Sequence, residues 1–410
     1  MKQFRKIQYQ NYIIFFILLL IYLFVTLFLF HRQSVNYNGQ YVSDIQPYIM
    51  EMQGISSGYD YPYPILFFLG RFFLLFTTPQ HAMAFAVTLL SGLTVPALKF
   101  FFDKALCVSE SQSFKAGLLS TLLTFSLVFV SMLYPLSYLG QYNPPGESYL
   151  YRYLGVFTPN PYHNATYLAA RPFAIPVFFL FVDILGFYEK EEKWFHSKYL
   201  LMGVFLFLTT MTKPSFTLVF VATAGLIMLF RLIHSRFRGI RAFLKCGVWF
   251  IPTFCVLLYQ FGDVFHIHDG AGTEKGIGFG FLTAWSQVYD NVPLAILRAI
   301  GFPLVVLLFC AIHKVFPAFL KLAWQLFLVS LATLIFLYEK GYRLPHVNFS
   351  WGYMYGIFFL YVTSLILLAQ CSLHRRQPIW QLAIQWGIYG LHLICGLDYF
   401  RVLLQGGLFH

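Results

Sequence analysis

The sequence has few charged residues for its length. Asp, Glu, Lys and Arg make up 11% of the 410 residues, and only 16 residues are acidic. Soluble globular domains carry about 25% charged residues, so this composition excludes a water-soluble fold for most of the chain. No CxxC pair occurs among the six cysteines, and their spacing therefore indicates neither a metal site nor a disulfide framework.

Apolar residues dominate instead, at 59% of the chain, with a mean hydropathy of +0.66. Because a helix needs about 20 apolar residues to cross a bilayer, the apolar runs predict an all-α, polytopic membrane domain over 1–410, with about eleven transmembrane helices. The run at 12–30 is too long for a signal peptide core and predicts a retained first helix. The other runs lie at 82–102, 115–135, 172–188, 195–212, 215–233, 243–261, 293–313, 318–338, 353–372 and 378–397.

Positive charge is distributed unevenly between alternate loops. The net charge is +12, but the basic residues fall in short loops, which argues against nucleic acid as a partner. A cytoplasmic N-terminus places 18 of the 28 Lys and Arg residues on the cytoplasmic side, as the positive-inside rule requires. We therefore expect a multi-pass protein of the cell (plasma) membrane that acts on its extracytoplasmic face. The external segments are then 31–81 (with interfacial helices), 136–171, 262–292 and 339–352.

Asp44 is the first acidic residue after the first span and is the candidate catalytic residue. A carboxylate at the membrane edge can act as general base for the hydroxyl of an acceptor. Glu51 follows seven residues later, on the same face if 44–51 is helical. The alternative is that Ser43 or Asp44 caps that helix.

Basic and aromatic residues of the other external segments are candidate substrate ligands. Arg171, where Pro172 is expected to open a span, can bind a phosphate through two hydrogen bonds. Lys213, in the tight turn before Pro214, offers a second positive charge. Each basic side chain can instead extend to the lipid headgroups, and Trp and Tyr can form an interfacial belt. The candidate substrate-binding residues are Glu51, His163, Arg171, Lys213, Arg343, His346, Asn348 and Trp351.

One motif is typical of a metal site. HIHD places His266 and His268 two residues apart, with Asp263 and Asp269 nearby. The surrounding sequence is rich in glycine and predicts a flexible loop, so no residue is assigned as a metal ligand. The sequence predicts no particular cofactor and leaves a divalent metal open.

Several segments resemble the GT-C class of membrane glycosyltransferases. The similarity covers about residues 12–360 and is carried by SDIQPYIMEMQG, GYDYPYPILFFLGRFF, NPYHNATYLAARPFAI, TKPSF and HVNFSWGYM. It implies a polyprenyl-phosphate-linked sugar as donor, with Asp44 at the position of the catalytic carboxylate. It also implies that Arg171, Lys213 or Arg343 holds the donor phosphate. Many members carry two adjacent acidic residues in this loop, whereas here the Asp has no acidic neighbour.

The predicted function is therefore that of a hexosyl or pentosyl transferase acting on a cell-envelope glycan or lipid. One alternative is a transporter or flippase of lipid-linked glycans, for which charged residues near mid-span are expected. Asp183 and Arg298 are the candidates for such residues, and each lies towards the end of a span. Another alternative is a non-catalytic membrane assembly protein, which leaves the polar density of 339–351 unexplained. Membrane lipids are expected partners in each case.

Overall fold

The fold is a bundle of α-helices with a single short sheet in the part of the chain that is described. The computed structural model describes residues 2–35, 39–59, 61–108, 114–142, 152–265 and 276–409. Two strands, β1 (Ile277–Phe279) and β2 (Leu337–Glu339), pair antiparallel. The helices are α1 (Lys2–Gln33), α2 (Ile45–Met52), α3 (Ile65–Leu74), α4 (Pro79–Gly92), α5 (Thr94–Ala105), α6 (Phe114–Phe129), α7 (Ala165–Phe187), α8 (Ser197–Thr212), α9 (Ser215–His234), α10 (Ile240–Gly247), α11 (Ile251–Phe265), α12 (Val292–His313), α13 (Ala318–Phe336), α14 (Ser350–Leu373) and α15 (Ile379–Leu404).

The all-α, multi-pass architecture is confirmed, but fewer helices than predicted are long enough to be counted as spans. Within the described ranges, 9 helical segments are long and apolar enough to cross a membrane, rather than about eleven. The difference falls on α6 and α8, which have 16 residues each. At about 1.5 Å per residue such a helix is roughly 24 Å long, which is shorter than the ~30 Å hydrocarbon core.

Two short helices occupy the first predicted external segment. They have 8 and 10 residues (α2 and α3), too few to cross a bilayer. The buried positions of α2 are Ile45, Tyr48, Ile49 and Met52, the spacing of a helix that packs one face against the core. Arg71 of α3 donates from Nε to the backbone carbonyl of Met52 at 2.8 Å, which ties the two helices together.

The helix α7 begins earlier than its sequence predicts. We expect a start at Pro172, whereas the helix begins at Ala165 and contains Pro172 in its interior. Asn164 caps it, because its Oδ1 accepts a hydrogen bond of 2.9 Å from the backbone N–H of Tyr167. Interior prolines are tolerated in membrane helices, so the predicted boundary is wrong. As a result Arg171 lies within the helix and not at its junction with a loop.

The predicted external segments meet at one end of the bundle. Gln260, near the end of α11, donates to the carbonyl of Pro62 in the first segment at 2.9 Å. The backbone N–H of Lys340, after β2, donates to the carbonyl of Gly276, before β1, at 2.8 Å. The helix α14, which is buried along nearly its whole length, begins within the last of these segments.

Candidate functional site

Asp44 lies at the N-terminus of α2, but its side chain does not cap that helix. Its Oδ2 instead accepts a hydrogen bond of 2.5 Å from Nδ2 of Asn164. Its backbone N–H donates to the carbonyl of His163 at 3.0 Å. Ser43 contributes the local contact at the start of α2, since its Oγ accepts from the N–H of Ile45 at 3.3 Å. The carboxylate of Asp44 is thus directed towards the segment that precedes α7.

Asn164 connects Asp44 to Lys213. Its Oδ1 accepts from Nζ of Lys213 at 3.2 Å, while its Nδ2 donates to Asp44. Lys213 also donates to Oγ1 of Thr166 at 3.0 Å, and Nζ lies 4.6 Å from the ring centre of Trp351. The Lys213 side chain lies in the two-residue turn between α8 and α9 and is only 6% exposed. One hydrogen-bonded network therefore holds a carboxylate and an ammonium group.

Burial dominates the protonation of these two groups. It raises the pKa of Asp44, and the hydrogen bond from Asn164 and the nearby positive charges oppose that rise only in part. It lowers the pKa of Lys213 to about 8, against the attraction of Asp44. Asp44 is half-buried, so it remains within reach of a substrate. The carboxylate becomes a stronger base than a free one, and the amine loses its proton more readily.

Tyr48 extends the network on the α2 side. Its hydroxyl lies 3.2 Å from Oγ1 of Thr166 and accepts from Nδ2 of Asn164 at 3.3 Å. Burial, followed by the negative charge of Asp44, raises the pKa of Tyr48 well above its usual value. The phenol therefore stays protonated and retains its O–H as a hydrogen-bond donor. Below, the Asp44 network means Asp44, Tyr48, Asn164, Thr166 and Lys213.

Glu339 organises the polar side chains of the last predicted external segment. Its Oε2 accepts from Nε of Arg343 at 2.8 Å and from Nδ2 of Asn348 at 2.6 Å. Nη1 of Arg343 is buried and has no hydrogen-bond partner in the described part of the chain. A buried donor without a partner is unusual, so this N–H group is available to a ligand that reaches it. His346 is exposed, and its ring centre lies 6.1 Å from that of Tyr59.

Two tyrosines are close enough to both Asp44 and Arg343 to be affected by their charges. Tyr61 and Tyr63 lie in the loop between α2 and α3, and burial raises the pKa of both phenols. The negative charge of Asp44 adds to this rise, whereas the positive charge of Arg343 opposes it. Asp44 and Arg343 therefore act on the same two rings, although they are far apart in sequence.

Arg171 makes its contacts inside the bundle. Its Nη1 donates to Oδ1 of Asn160 at 2.6 Å, and its guanidinium carbon lies 5.5 Å and 5.1 Å from the ring centres of Tyr167 and Phe358. The residue is 2% exposed. The expectation that Arg171 lies where a span meets water is corrected, because α7 begins before it.

His163 contacts the Asp44 network through its backbone, whereas the backbone of Glu51 contacts α3. The His163 carbonyl accepts from the N–H of Asp44, while its ring stacks on Phe409, with ring centres 4.0 Å apart. The carbonyl of Glu51 accepts from Nη2 of Arg71 at 3.3 Å. The Glu51 side chain is half-buried and the His163 ring is buried. Neither side chain has a described hydrogen bond to the carboxylate of Asp44.

Three residues of the Asp44 network are not among the ligands predicted from sequence, namely Tyr48, Asn164 and Thr166. One signal for Asn164 is available in the sequence, because Asn before an apolar run is a frequent helix N-cap. Glu339 stands in the predicted polar segment, but its role as the shared acceptor of Arg343 and Asn348 depends on tertiary contacts.

The described residues contain no group of three or more His, Cys, Asp or Glu side chains that could hold a metal ion. The HIHD motif at 266–269 lies outside the described residues. The Asp44 network itself offers a base, a cation and several hydrogen-bond donors.

No model of a known protein family matches this chain, and no curated protein matches it at a significant level.

Proposed function

We propose that this protein is a GT-C-like glycosyltransferase that moves a hexose or pentose from a polyprenyl-phosphate-linked donor to a cell-envelope glycan or lipid. The observation that carries the proposal is the connection of Asp44 to Lys213 through the amide of Asn164. Transfer of a sugar from a lipid phosphate needs a base for the acceptor hydroxyl and positive charge for the departing phosphate. The Asp44 network supplies both.

In the proposed reaction, Asp44 takes the proton of the acceptor hydroxyl as that oxygen attacks the anomeric carbon of the donor sugar. A new glycosidic bond forms, and the bond between the anomeric carbon and the phosphate oxygen breaks. The electron pair of the broken bond leaves with the polyprenyl phosphate. A single displacement of this kind inverts the configuration at the anomeric carbon. The raised pKa of Asp44 favours the proton transfer.

Lys213 and Arg343 are the proposed phosphate ligands. The leaving phosphate gains negative charge, which a buried ammonium stabilises more strongly than an exposed one because water screens it less. Lys213 is buried beside Asp44, and Arg343 has a buried N–H group without a partner among the described residues. Arg171 also has a buried N–H group, at Nε, without a partner among the described residues. It is the weaker candidate because Asn160 and two aromatic rings surround its guanidinium group.

Aromatic side chains near Asp44 support a sugar as substrate. Rings with one apolar face and a polar edge can cover the C–H face of a sugar while its hydroxyls bind polar neighbours. Tyr59 is 42% exposed, and its ring centre lies 6.2 Å from that of Tyr61. Trp351 is half-buried beside Lys213 and is a second candidate.

The proposed location is the plasma membrane, with the N-terminus in the cytoplasm and the Asp44 network on the extracytoplasmic side. The uneven distribution of Lys and Arg between the loops supports this orientation. A lipid-linked donor reaches such a site laterally from the bilayer, and α3, in the same external segment as Asp44, exposes the apolar side chains Phe68 and Phe72.

The test is transfer by the purified full chain in liposomes, with synthetic polyprenyl-phosphate hexoses and pentoses as donors and a cell-envelope lipid extract as acceptor. Asp44→Asn should lower kcat/KM by about 10²–10⁴-fold, the usual contribution of a general base. Asp290→Asn, which removes an exposed carboxylate before α12, should retain full activity. Full transfer by Asp44→Asn would exclude the mechanism, and flux of a lipid-linked glycan across the bilayer without transfer would favour a transporter.

A further inference from the structure

A cavity of about 610 Å³ lies at the end of the bundle opposite the Asp44 network. It is bordered by the residues that follow α7, by the last turns of α9 and by the start of α10. Pro214 separates Lys213 from α9, and Met228, the first residue of this helix that lines the cavity, lies roughly 20 Å along the helix from Ser215. The cavity is therefore not part of the proposed transfer site, and its volume falls in the ~300–1,000 Å³ range of small-molecule pockets.

The polar lining of this cavity is mostly basic. Arg231, His234 and Arg238 line it, together with a single acidic residue, Glu189. Nη1 of Arg231 lies 3.6 Å from Oε1 of Glu189, so these two charges offset each other. Arg238 takes part in none of the ion pairs found among the described residues. The remaining positive charge favours an anionic ligand.

The turn that carries Arg238 has a defined backbone. The N–H of Phe237 donates to the carbonyl of Leu232 at 2.9 Å, which closes the end of α9. Arg236 and Phe237 both adopt the left-handed conformation, with φ of 52° and 64°. Oγ of Ser235 accepts from the N–H of Gly239 at 3.3 Å. These contacts fix the path of the chain past the cavity and hold Arg238 at its border.

Apolar side chains around the same turn are exposed to the exterior of the bundle. Phe230 is 71% exposed, Ile233 55% and Phe237 59%. In a multi-pass membrane protein such side chains contact acyl chains. The ring of Phe230 also stacks on that of His234, with centres 6.1 Å apart and planes at 12°. A basic recess and a lipid-facing apolar surface are thus adjacent, an arrangement that suits an amphipathic anion better than a free one.

We propose that this cavity binds the headgroup of an anionic phospholipid. The phosphate lies between Arg238 and His234, and the acyl chains follow the exposed surface of α9 past Phe230 and Ile233. This site does not depend on the proposed transfer reaction, since it lies at the other end of α9. The proposed ligand is a phospholipid that carries one negatively charged phosphodiester and two acyl chains.

The experiment is native mass spectrometry of the purified full chain after detergent exchange, with thermal unfolding as a second readout. The probes are phosphatidylglycerol, phosphatidylcholine and inorganic phosphate, each added separately. We expect wild-type protein to retain phosphatidylglycerol and to unfold several degrees higher in its presence, with neither effect from the other two probes. Arg238→Glu should lower the retained phosphatidylglycerol at least about tenfold, the scale of one lost hydrogen bond to a charged group.

Arg241→Glu is the matched control, since Arg241 is an exposed arginine of α10 that does not line the cavity. Equal losses in the two variants would show a general effect of surface charge and overturn the proposal. Equal retention of phosphatidylcholine, or equal stabilisation by inorganic phosphate, would also overturn it. If Arg238→Glu does not elute as a single species, Arg238→Gln takes its place. The same results are then expected, and the same results would overturn the proposal.

Discussion

Nδ2 of Asn164 donates a hydrogen bond of 2.5 Å to Oδ2 of Asp44, across 120 positions of the chain. The same side chain caps α7 through its Oδ1. Asn164 thus fixes the position of the carboxylate relative to the helix that follows it. Substitutions at Asn164 should therefore affect the pKa of Asp44 and the stability of α7 to different extents.

Asn164→Asp should move the acid limb of the transfer rate to higher pH. The new carboxylate can still cap α7, but it places a negative charge beside Asp44 and removes a hydrogen bond that lowers the pKa of Asp44. A general base with a higher pKa is deprotonated only at higher pH, and each pKa unit reduces the rate on that limb by about tenfold. The measurement is kcat/KM against pH.

Asn164→Ser is the matched variant for this prediction. Serine also caps a helix but adds no charge. We expect a smaller displacement of the acid limb than in Asn164→Asp, at a similar unfolding temperature. Identical pH profiles for wild type and both variants would mean that the contact with Asp44 has no part in transfer.

Lys213 should make the stability of the protein depend on pH in the alkaline range. Its amine loses the proton at about pH 8 in the folded protein and near 10.5 when unfolded. Between these values the folded protein binds fewer protons, so the free energy of unfolding should rise with pH. Lys213→Met should reduce this rise in thermal unfolding in detergent, whereas Lys193→Met, at an exposed position, should leave it unchanged.

On the proposed mechanism, Lys213→Arg should extend binding of the donor phosphate to higher pH. The wild-type ammonium loses its charge above about pH 8, so KM for the donor should increase there. Arginine stays charged throughout this range. A donor KM that increases equally in both proteins would show that Lys213 does not contact the phosphate.

Glu339→Ala should lower the free energy of unfolding by about 1–3 kcal/mol, because it removes a charged acceptor shared by two half-buried donors. The side chains of Glu339 and Arg343 are 13% and 16% exposed, so water replaces the lost contacts poorly. Glu189→Ala breaks the more exposed pair with Arg231, at 53% and 35% exposure, and should cost less than about 1 kcal/mol. Similar unfolding temperatures for the two variants would contradict this account of Glu339.

Phe409→Ala should make the ring of His163 reactive. The Phe409 ring stacks on that of His163 with their planes at 9°, and His163 is 2% exposed. Removal of the phenyl group should uncover the imidazole, which can then be modified by diethyl pyrocarbonate and located by peptide mass spectrometry. Phe72→Ala, on an exposed face of α3, provides the control and should leave His163 unmodified.

The sequence is sufficient to predict the helical membrane fold, because a run of about 20 apolar residues is typical of a helix that crosses a bilayer. The tight turn at Lys213 and Pro214 also follows from the chain itself, since proline ends one helix and begins the next. The number of spans is less certain from sequence, because apolar character alone does not reveal where α6 and α8 end. Each stops at 16 residues.

The partners in the candidate site are harder to predict. Asp44 and Lys213 stand out in the sequence as isolated charges near apolar runs. Their connection through Asn164 depends on how α2 and α7 pack against each other. The periodicity of apolar residues in the sequence does not predict that relative placement. The position of Arg171 is predicted wrongly for a local reason. Pro172 suggests a helix start, although α7 begins seven residues earlier, at Ala165.

The position of Asn164 also affects how the protein should be produced. Asn164-Ala-Thr166 matches the acceptor pattern for N-glycosylation, and the glycan would be attached to Nδ2. That nitrogen is the atom that donates to Asp44 and Tyr48, in a side chain that is 2% exposed. A secretory host that glycosylates this asparagine before the chain folds would yield protein without the Asp44 network. Bacterial hosts without this modification are therefore the suitable choice for expression.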